Sequence, residues 1–246
     1  MRDFFKARLS AFIAFGVVLI ALIFTVAIMV QYEIEGEKNM PFEVEKILVV
    51  SGADASEKET NKDNMKWNID INQFNDIYVL FKKNNDYNKG ERISEVRVEN
   101  LVVKNAPKKG EIKMYKPSED ENKKFEYNEN SAVDGKLVFQ GDDETKNSNL
   151  KISREGGTIK VRIANTKVGE YVSNEAEEIK YDGTLIAKTD STVDDLKADI
   201  KFDIVLVTDK ITYRATIETE IPVGNIVESG VSQKNIEIKN IVFKRE

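Results

Sequence analysis

From Ala11 to Val30 the chain is one unbroken apolar run, preceded by Arg2, Lys6 and Arg8 and followed by Glu33, Glu35 and Glu37. A helix rises only about 1.5 Å per residue, so a bilayer's hydrocarbon core demands about 20 apolar residues, whose backbone groups the helix bonds internally. This run meets that length. A cleaved signal peptide has a shorter apolar stretch, about 7–15 residues, ending in a small-x-small site. The nearest such pattern, Thr25-Val26-Ala27, lies inside the run. With no cysteine in the chain, lipid attachment through a thiol is excluded. The expectation is an uncleaved signal anchor: a cytoplasmic head over 1–10, a spanning helix over 11–31, a short stalk over 32–40 and a body over 41–246. Cations beside a spanning helix stay on the cytoplasmic side. The pattern therefore predicts a single-pass protein of the cell membrane with its body outside and the lipid bilayer as the helix's partner.

Charge narrows the partners of that body. The net charge is −6, and the ten residues before the run carry +2, which leaves −8 beyond them. An acidic surface repels phosphate backbones and anionic headgroups, so nucleic acid is not expected as a partner. More than 200 residues can bury a sizeable core without disulfides. The abundance of Lys, Asn, Ile and Glu suits an AT-rich bacterial genome.

Beyond the stalk the pattern is that of strands, in which successive side chains point to opposite faces. Ala198, Ile200, Phe202, Ile204 and Leu206 share one face, against Asp199, Lys201 and Asp203. Ile211, Tyr213, Ala215, Ile217 and Ile221 repeat the arrangement, and the short link 208–210 makes the two an antiparallel hairpin. A second tight turn is expected at Glu155-Gly156-Gly157. Trp67, Ile69 and Ile71 mark another strand face, and Ile77 to Phe81 is apolar on both faces, as a central strand would be.

Three stretches share a pattern: FEVEKILVV (42–50), VRVENLVVK (96–104) and IEIKNIVFK (236–244). In each, a second polar residue interrupts the alternation and flips the inward phase, from Val98 to Leu101 and from Ile238 to Ile241. A β-bulge does this physically, because one extra residue re-aims every later side chain. Their unequal spacing excludes a solenoid. First and last strands sharing one sheet would account for the pattern. The strand pattern makes the expected fold an all-β antiparallel sandwich; such strands resemble those of carbohydrate-binding jelly rolls, which makes the jelly roll its variant. The polar stretches 51–66, 116–136, 141–149 and 188–195 read as loops, where binding sites on sandwiches concentrate. None has linker composition, which predicts one large domain.

Chemistry is scarce. Without histidine or cysteine, the common nucleophile–base pairs and zinc ligand sets cannot be assembled. Ser148-x-x-Lys151 has a serine–lysine spacing, but it abuts a strand rather than opening a helix. Paired carboxylates could hydrolyse a glycoside, and Asp142, Asp143, Glu144, Asp190, Asp194 and Asp195 are the acids in polar runs. Asn84, Asp86, Asn88 and Glu95 partly match a calcium loop, with Asn for the first Asp and Gly90 one place late. Tyr87, Tyr115, Tyr127 and Tyr171 border polar stretches and could present a ring to a ligand, whereas Trp67 shares the parity of core residues. Ala7/Ala11, Ser10/Ala14 and Ala21/Thr25 would let another helix approach closely. The sequence assigns no catalytic, cofactor-binding or metal residue and implies no cofactor. The expected function is a noncatalytic binding or assembly module contacting an envelope protein or wall polysaccharide. The alternative is a carboxylate-dependent hydrolase of an envelope glycan.

Overall fold

A computed structural model describes residues 2–61, 66–118, 125, 135–144, 149–174 and 180–246. Helix α1 (Arg2–Glu35) contains Ala11–Glu35, long and apolar enough to cross a membrane and not buried anywhere. The helix runs through the first residues of the expected stalk and stops at Gly36, whose φ of +68° is open to glycine without steric cost. The Gly36 N–H bonds the Tyr32 carbonyl at 2.8 Å.

The remainder is mostly strand: β1 (Phe42–Asn61), β2 (Lys66–Lys83), β3 (Ile93–Asn105), β4 (Glu111–Tyr115), β5 (Leu137–Asp142), β6 (Lys151–Ser153), β7 (Gly156–Asn174), β8 (Ala198–Thr208), β9 (Thr212–Ile221), β10 (Ser232–Ile236) and β11 (Lys244–Arg245). Short helical turns interrupt it: a 3₁₀ helix at Gly183–Thr189, α2 (Val193–Leu196), α3 (Ile226–Ser229) and a 3₁₀ turn at Ile238–Asn240. All eleven strands belong to one sheet, ordered β10-β1-β2-β7-β6-β5-β3-β8-β9-β11, with β4 against β7.

That sheet cannot be flat. Ten strands spaced about 4.8 Å apart would set its end strands about 43 Å from each other. Yet β10 and β11, at opposite ends, are joined by residues 237–243 alone, a link that spans less than about 30 Å fully extended. The sheet therefore curls, and its inner face closes on a main core. Ile47, Val49, Ile77, Val79, Val161 and Ile163 from one arm pack with Val96, Val98, Phe202, Ile204, Tyr213 and Ile217 from the other.

The β8–β9 pair is the expected antiparallel hairpin, with register running from Val207↔Thr212 to Ala198↔Ile221 and the expected residues inward. The expected turn lies at Arg154–Glu155 and leads straight into β7, whose first residues Gly156 and Gly157 take φ +116° and +131°; a Cβ at Gly156 would lie 2.7 Å from the Phe81 carbonyl oxygen. Ile77–Phe81 is central, between β1 and β7. Two of the three look-alike stretches carry the expected bulge. The β1–β2 register shifts between Val44 and Lys46, and the β3–β8 register between Glu99 and Val102. Asn100 occupies the second bulge at φ +57°, a conformation Asn tolerates, and its Nδ2 donates to Asp203 at 2.8 Å.

The third stretch is not a strand. Residues 236–244 end β10, pass through the 3₁₀ turn and begin β11, because this segment must cross from one sheet edge to the other. It does share the sheet of the first strand, since β10 pairs with β1. A second correction concerns 51–66. Its polar composition reads as a loop, but β1 continues to Asn61 and β2 starts at Lys66, because the ladder with β2 satisfies the backbone whatever the side chains. Likewise 188–195 holds the end of a 3₁₀ helix and α2, closed by Thr192 and Asp195.

Candidate functional site

The feature that distinguishes this body is an arm. Strands β1, β2 and β7 are 20, 18 and 19 residues long, and their far thirds run past the main core. Where they leave it, the inward row turns polar on all three. Ser51 follows Val49 on β1, Gln73 and Asn75 separate Ile71 from Ile77 on β2, and Asn165 follows Ile163 on β7. All four polar residues are buried, so each must find partners inside. Ser51 Oγ donates to Asn75 Oδ1 at 2.7 Å, Gln73 Nε2 donates to the same oxygen at 2.9 Å, and Asn75 Nδ2 donates to the Ile163 carbonyl at 2.9 Å. Asn165 Nδ2 reaches the Lys109 carbonyl at 2.9 Å. Beyond this belt a second core begins, in which Ala53, Ile69, Ile71 and Val168 of the arm pack under Leu185, Ile186, Leu196 and Ile226. At the same level β7 carries extra residues: Gln73 faces Asn165 and Ile71 faces Gly169, with Lys167 at φ +59° and its N–H on Asn72 Oδ1.

The outer face at the root of the arm carries a clamp. Arg162, 6% exposed, lies across the ladder from Asp76, 4% exposed, and binds it in bidentate fashion, Nε–Oδ1 2.5 Å and Nη2–Oδ2 2.7 Å. A further nitrogen reaches Asp54, whose side chain is nearly half exposed. The guanidinium is also sandwiched between two rings, 4.0 Å from the Phe74 centroid and 4.5 Å from that of Phe125. Gly52 makes room for this stack, since a Cβ there would lie 2.8 Å from Phe74 Cζ. The clamp thus pins Phe125, from the excursion between β4 and β5, onto the sheet.

Three further buried charges, Glu91, Glu99 and Asp203, are embedded in networks. Glu91, 2% exposed, accepts from Thr208 Oγ1 at 2.7 Å and from the Tyr87 hydroxyl. Burial pushes its carboxyl up, but the Thr208 and Tyr87 donors and the charges of Lys210 and Lys89 outweigh it and hold the group below its ordinary value. Tyr87 is pushed up to about 12, chiefly by the hydrogen bond it gives Glu91. On the outer face of β3, β8 and β9, Arg214 bridges Glu99, Asp203 and Glu246. Burial works against the Asp203 carboxylate, yet donors from Asn100, Thr216 and Arg214 lower its pKa.

The acids singled out by sequence are dispersed among structural tasks. Asp142 pairs with Lys151 at 2.5 Å, and Asp143 lies between Arg92 and Arg154. Asp194 pairs with Lys197. Asp190 closes the 3₁₀ helix in the left-handed conformation. The Thr192 backbone N–H and hydroxyl hold Asp195 at about 2. Glu144 bonds back to Asp142 through its N–H. In the calcium-like stretch, Asn84 caps its own turn and reaches the Met40 carbonyl, while Glu95 pairs with Arg97 on β3. Among the described residues no group of three metal-ligating side chains converges.

Ser148 lies outside the described residues, as do Tyr127 and the side chains of Trp67, Ala7 and Ser10. Tyr115 is buried, and Tyr171 packs on the arm's core with Lys188 Nζ 5.4 Å from its ring centroid. Thr25 spends its hydroxyl on the Ala21 carbonyl. A serine–lysine contact does form elsewhere. Lys109 Nζ donates to Ser191 Oγ at 2.8 Å and toward the Thr189 and Asp190 carbonyls at 3.4 and 3.5 Å. Three acceptors around one ammonium are what a helix-end cap requires, whereas a general base has to offer a lone pair. Ser191 is itself buried, so this contact ties the segment before β4 to the 3₁₀ helix.

Sequence reasoning missed both the arm and its clamp. The signal available was Gln73 and Asn75 in the inward phase between Ile71 and Ile77. No family model, curated protein or solved structure matches this chain.

Proposed function

We propose that the protein is a noncatalytic binding or assembly module of a bacterial cell envelope and that the β1–β2–β7 arm meets its partner, an envelope protein or wall polysaccharide. In this reading α1 is a single-pass anchor, residues 1–10 are cytoplasmic and the β-rich body is outside. The curled sheet is a sandwich whose two arms close on the main core. The parallel β5–β6 pair argues against the jelly-roll variant. One observation carries the proposal: β1 starts directly after the stalk and continues for 20 residues, about 65 Å of strand, to the far end of the arm. A protein that only covered a catalytic groove would have no use for such reach. The glycan-hydrolase alternative has less behind it, because Asp142, Asp143, Asp190, Asp194 and Asp195 of the acids proposed for it are engaged in ion pairs and caps.

The test uses the full-length protein in cells, with a photo-crosslinking residue at Asn68 or Val172 on the arm, or at Val102 or Val138 on the body, all exposed. Arm positions are expected to capture a discrete envelope component and body positions not. Capture from Val102 or Val138 with none from the arm would overturn the assignment.

A further inference from the structure

The anchor and the body touch at a second place besides the chain that joins them. The Glu37 N–H donates to the Phe243 carbonyl at 2.7 Å, and the Arg245 N–H donates to the Tyr32 hydroxyl at 2.9 Å. Lys244 pairs with Glu33 and Arg245 with Glu37 at 2.5 Å. Gly36 is pressed against this segment so closely that a Cβ would lie 2.4 Å from the Phe243 carbonyl oxygen and 2.5 Å from Val242 Cγ1. The segment is β11, which lies on β9 through Lys244↔Arg214 and Arg245↔Tyr213. The next residue, Glu246, bonds the Thr212 carbonyl through its N–H and enters the Arg214 network with Asp203 and Glu99. From the last turn of α1, contacts therefore run without a gap through β11 and β9 into β8 and β3.

On the stalk's other side, Asn84 Nδ2 bonds the Met40 carbonyl and the Asn84 N–H bonds that of Pro41. A five-residue stalk left free would let the body wander by about 12 Å, the root-mean-square span of a flexible chain of that length. Two-point attachment removes that freedom.

We infer that β11 is a clamp that locks the body onto the end of its own membrane helix, so that helix and sheet move as one rigid unit. The body's tilt and height are then set by α1, and a rotation or tilt of α1 in the membrane is delivered to the β3–β8–β9 face. This rests on α1 being embedded in a bilayer and not on what the arm binds.

The chain has no cysteine, so two can be introduced cleanly. The experiment places spin labels at Gln31→Cys, on the helix, and Val102→Cys, on the outer face of β3, in full-length protein in phosphatidylglycerol/phosphatidylethanolamine nanodiscs, and measures the interlabel distance distribution. One narrow distance is expected. Tyr32→Phe with Glu33→Gln and Glu37→Gln should broaden it toward the roughly 12 Å spread of a free stalk, with the melting temperature of the body unchanged. If that triple variant lowers the melting temperature, Lys244→Gln with Arg245→Gln breaks the same ion pairs from the other side and is read instead. A broad distribution in the unmodified protein, or a narrow one in a folded clamp variant, would overturn the inference.

Discussion

Replacing Arg162 by Met tests the energetics of the arm's root most directly. The substitution keeps the volume and the apolar stem while taking the guanidinium from Asp76, which stays buried at 4% exposure. Removing one member of a buried ion pair costs about 3–5 kcal/mol, because the remaining charge is still desolvated. The Asp54 contact adds little, since its carboxylate is 43% exposed and screened by water. The rings of Phe74 and Phe125 also lose a cation, but a thioether retains part of that contact. For a body of this size, with a melting shift of about 2–4 °C per kcal/mol, the melting temperature should fall by roughly 6–20 °C. The assay is thermal unfolding of the detergent-solubilised full chain, followed by circular dichroism in the β-sheet band. A double-mutant cycle isolates the cause: Asp76→Asn in the Arg162→Met background removes the stranded charge and should recover most of the loss. A single variant that loses less than about 1 kcal/mol, or a double variant no better than the single, would refute the claim that a buried charge pair holds this face together.

Gly52→Ala should destabilise by about 1–3 kcal/mol, because the new methyl displaces a Phe74 ring already stacked on Arg162; the same substitution should cost less in a Phe74→Leu background, as urea unfolding of the two pairs would reveal. Glu91→Gln should bring the Tyr87 phenol down from about 12 toward its ordinary value near 10, read by tyrosinate absorbance on alkaline titration. Because the folded-state value of Glu91 is depressed, its stabilisation is present above the unfolded value and lost as pH falls through the folded one. The Gln variant should therefore show a shallower loss of stability in acid than the unmodified protein.

Much of the sheet could be read from side-chain parity. The β8–β9 hairpin announces itself because its two faces differ at every step, and the bulges at Glu45 and Asn100 announce themselves because an added polar residue shifts the apolar phase. The same pattern at 236–244 means something else, because there the flip serves a crossover between sheet edges. Local sequence is alike in both cases. What differs is whether a neighbouring strand continues alongside, and that is decided elsewhere in the chain, at Leu80 for the first bulge and at Asp203 for the second.

The arm was illegible for a related reason. Polarity in 51–66 reads as a loop only if polar residues must be on the surface of an irregular segment, whereas a two-stranded ladder extending beyond the core satisfies its backbone with any side chain that tolerates extended φ and ψ. Gln73 and Asn75 then acquire a meaning they lack in isolation. Burying four polar side chains between two apolar clusters forfeits core packing and gains a hydrogen-bond pattern that a slipped register could not satisfy, since Ser51 of β1 bonds Asn75 of β2 and Asn75 Nδ2 bonds the Ile163 carbonyl of β7. A belt of this kind holds β1, β2 and β7 in one alignment where the main core ends and the strands lose its packing. Arg162 does the same from the opposite face, fixing β7 to β2 through Asp76 and to β1 through Asp54. The sheet is therefore fastened on both faces at the level where the arm begins, which makes the arm an extension of the body rather than a loosely attached hairpin. With the β11 clamp at the other end of the body, the arm is thereby held in one alignment relative to α1, since both fastenings act through the same sheet.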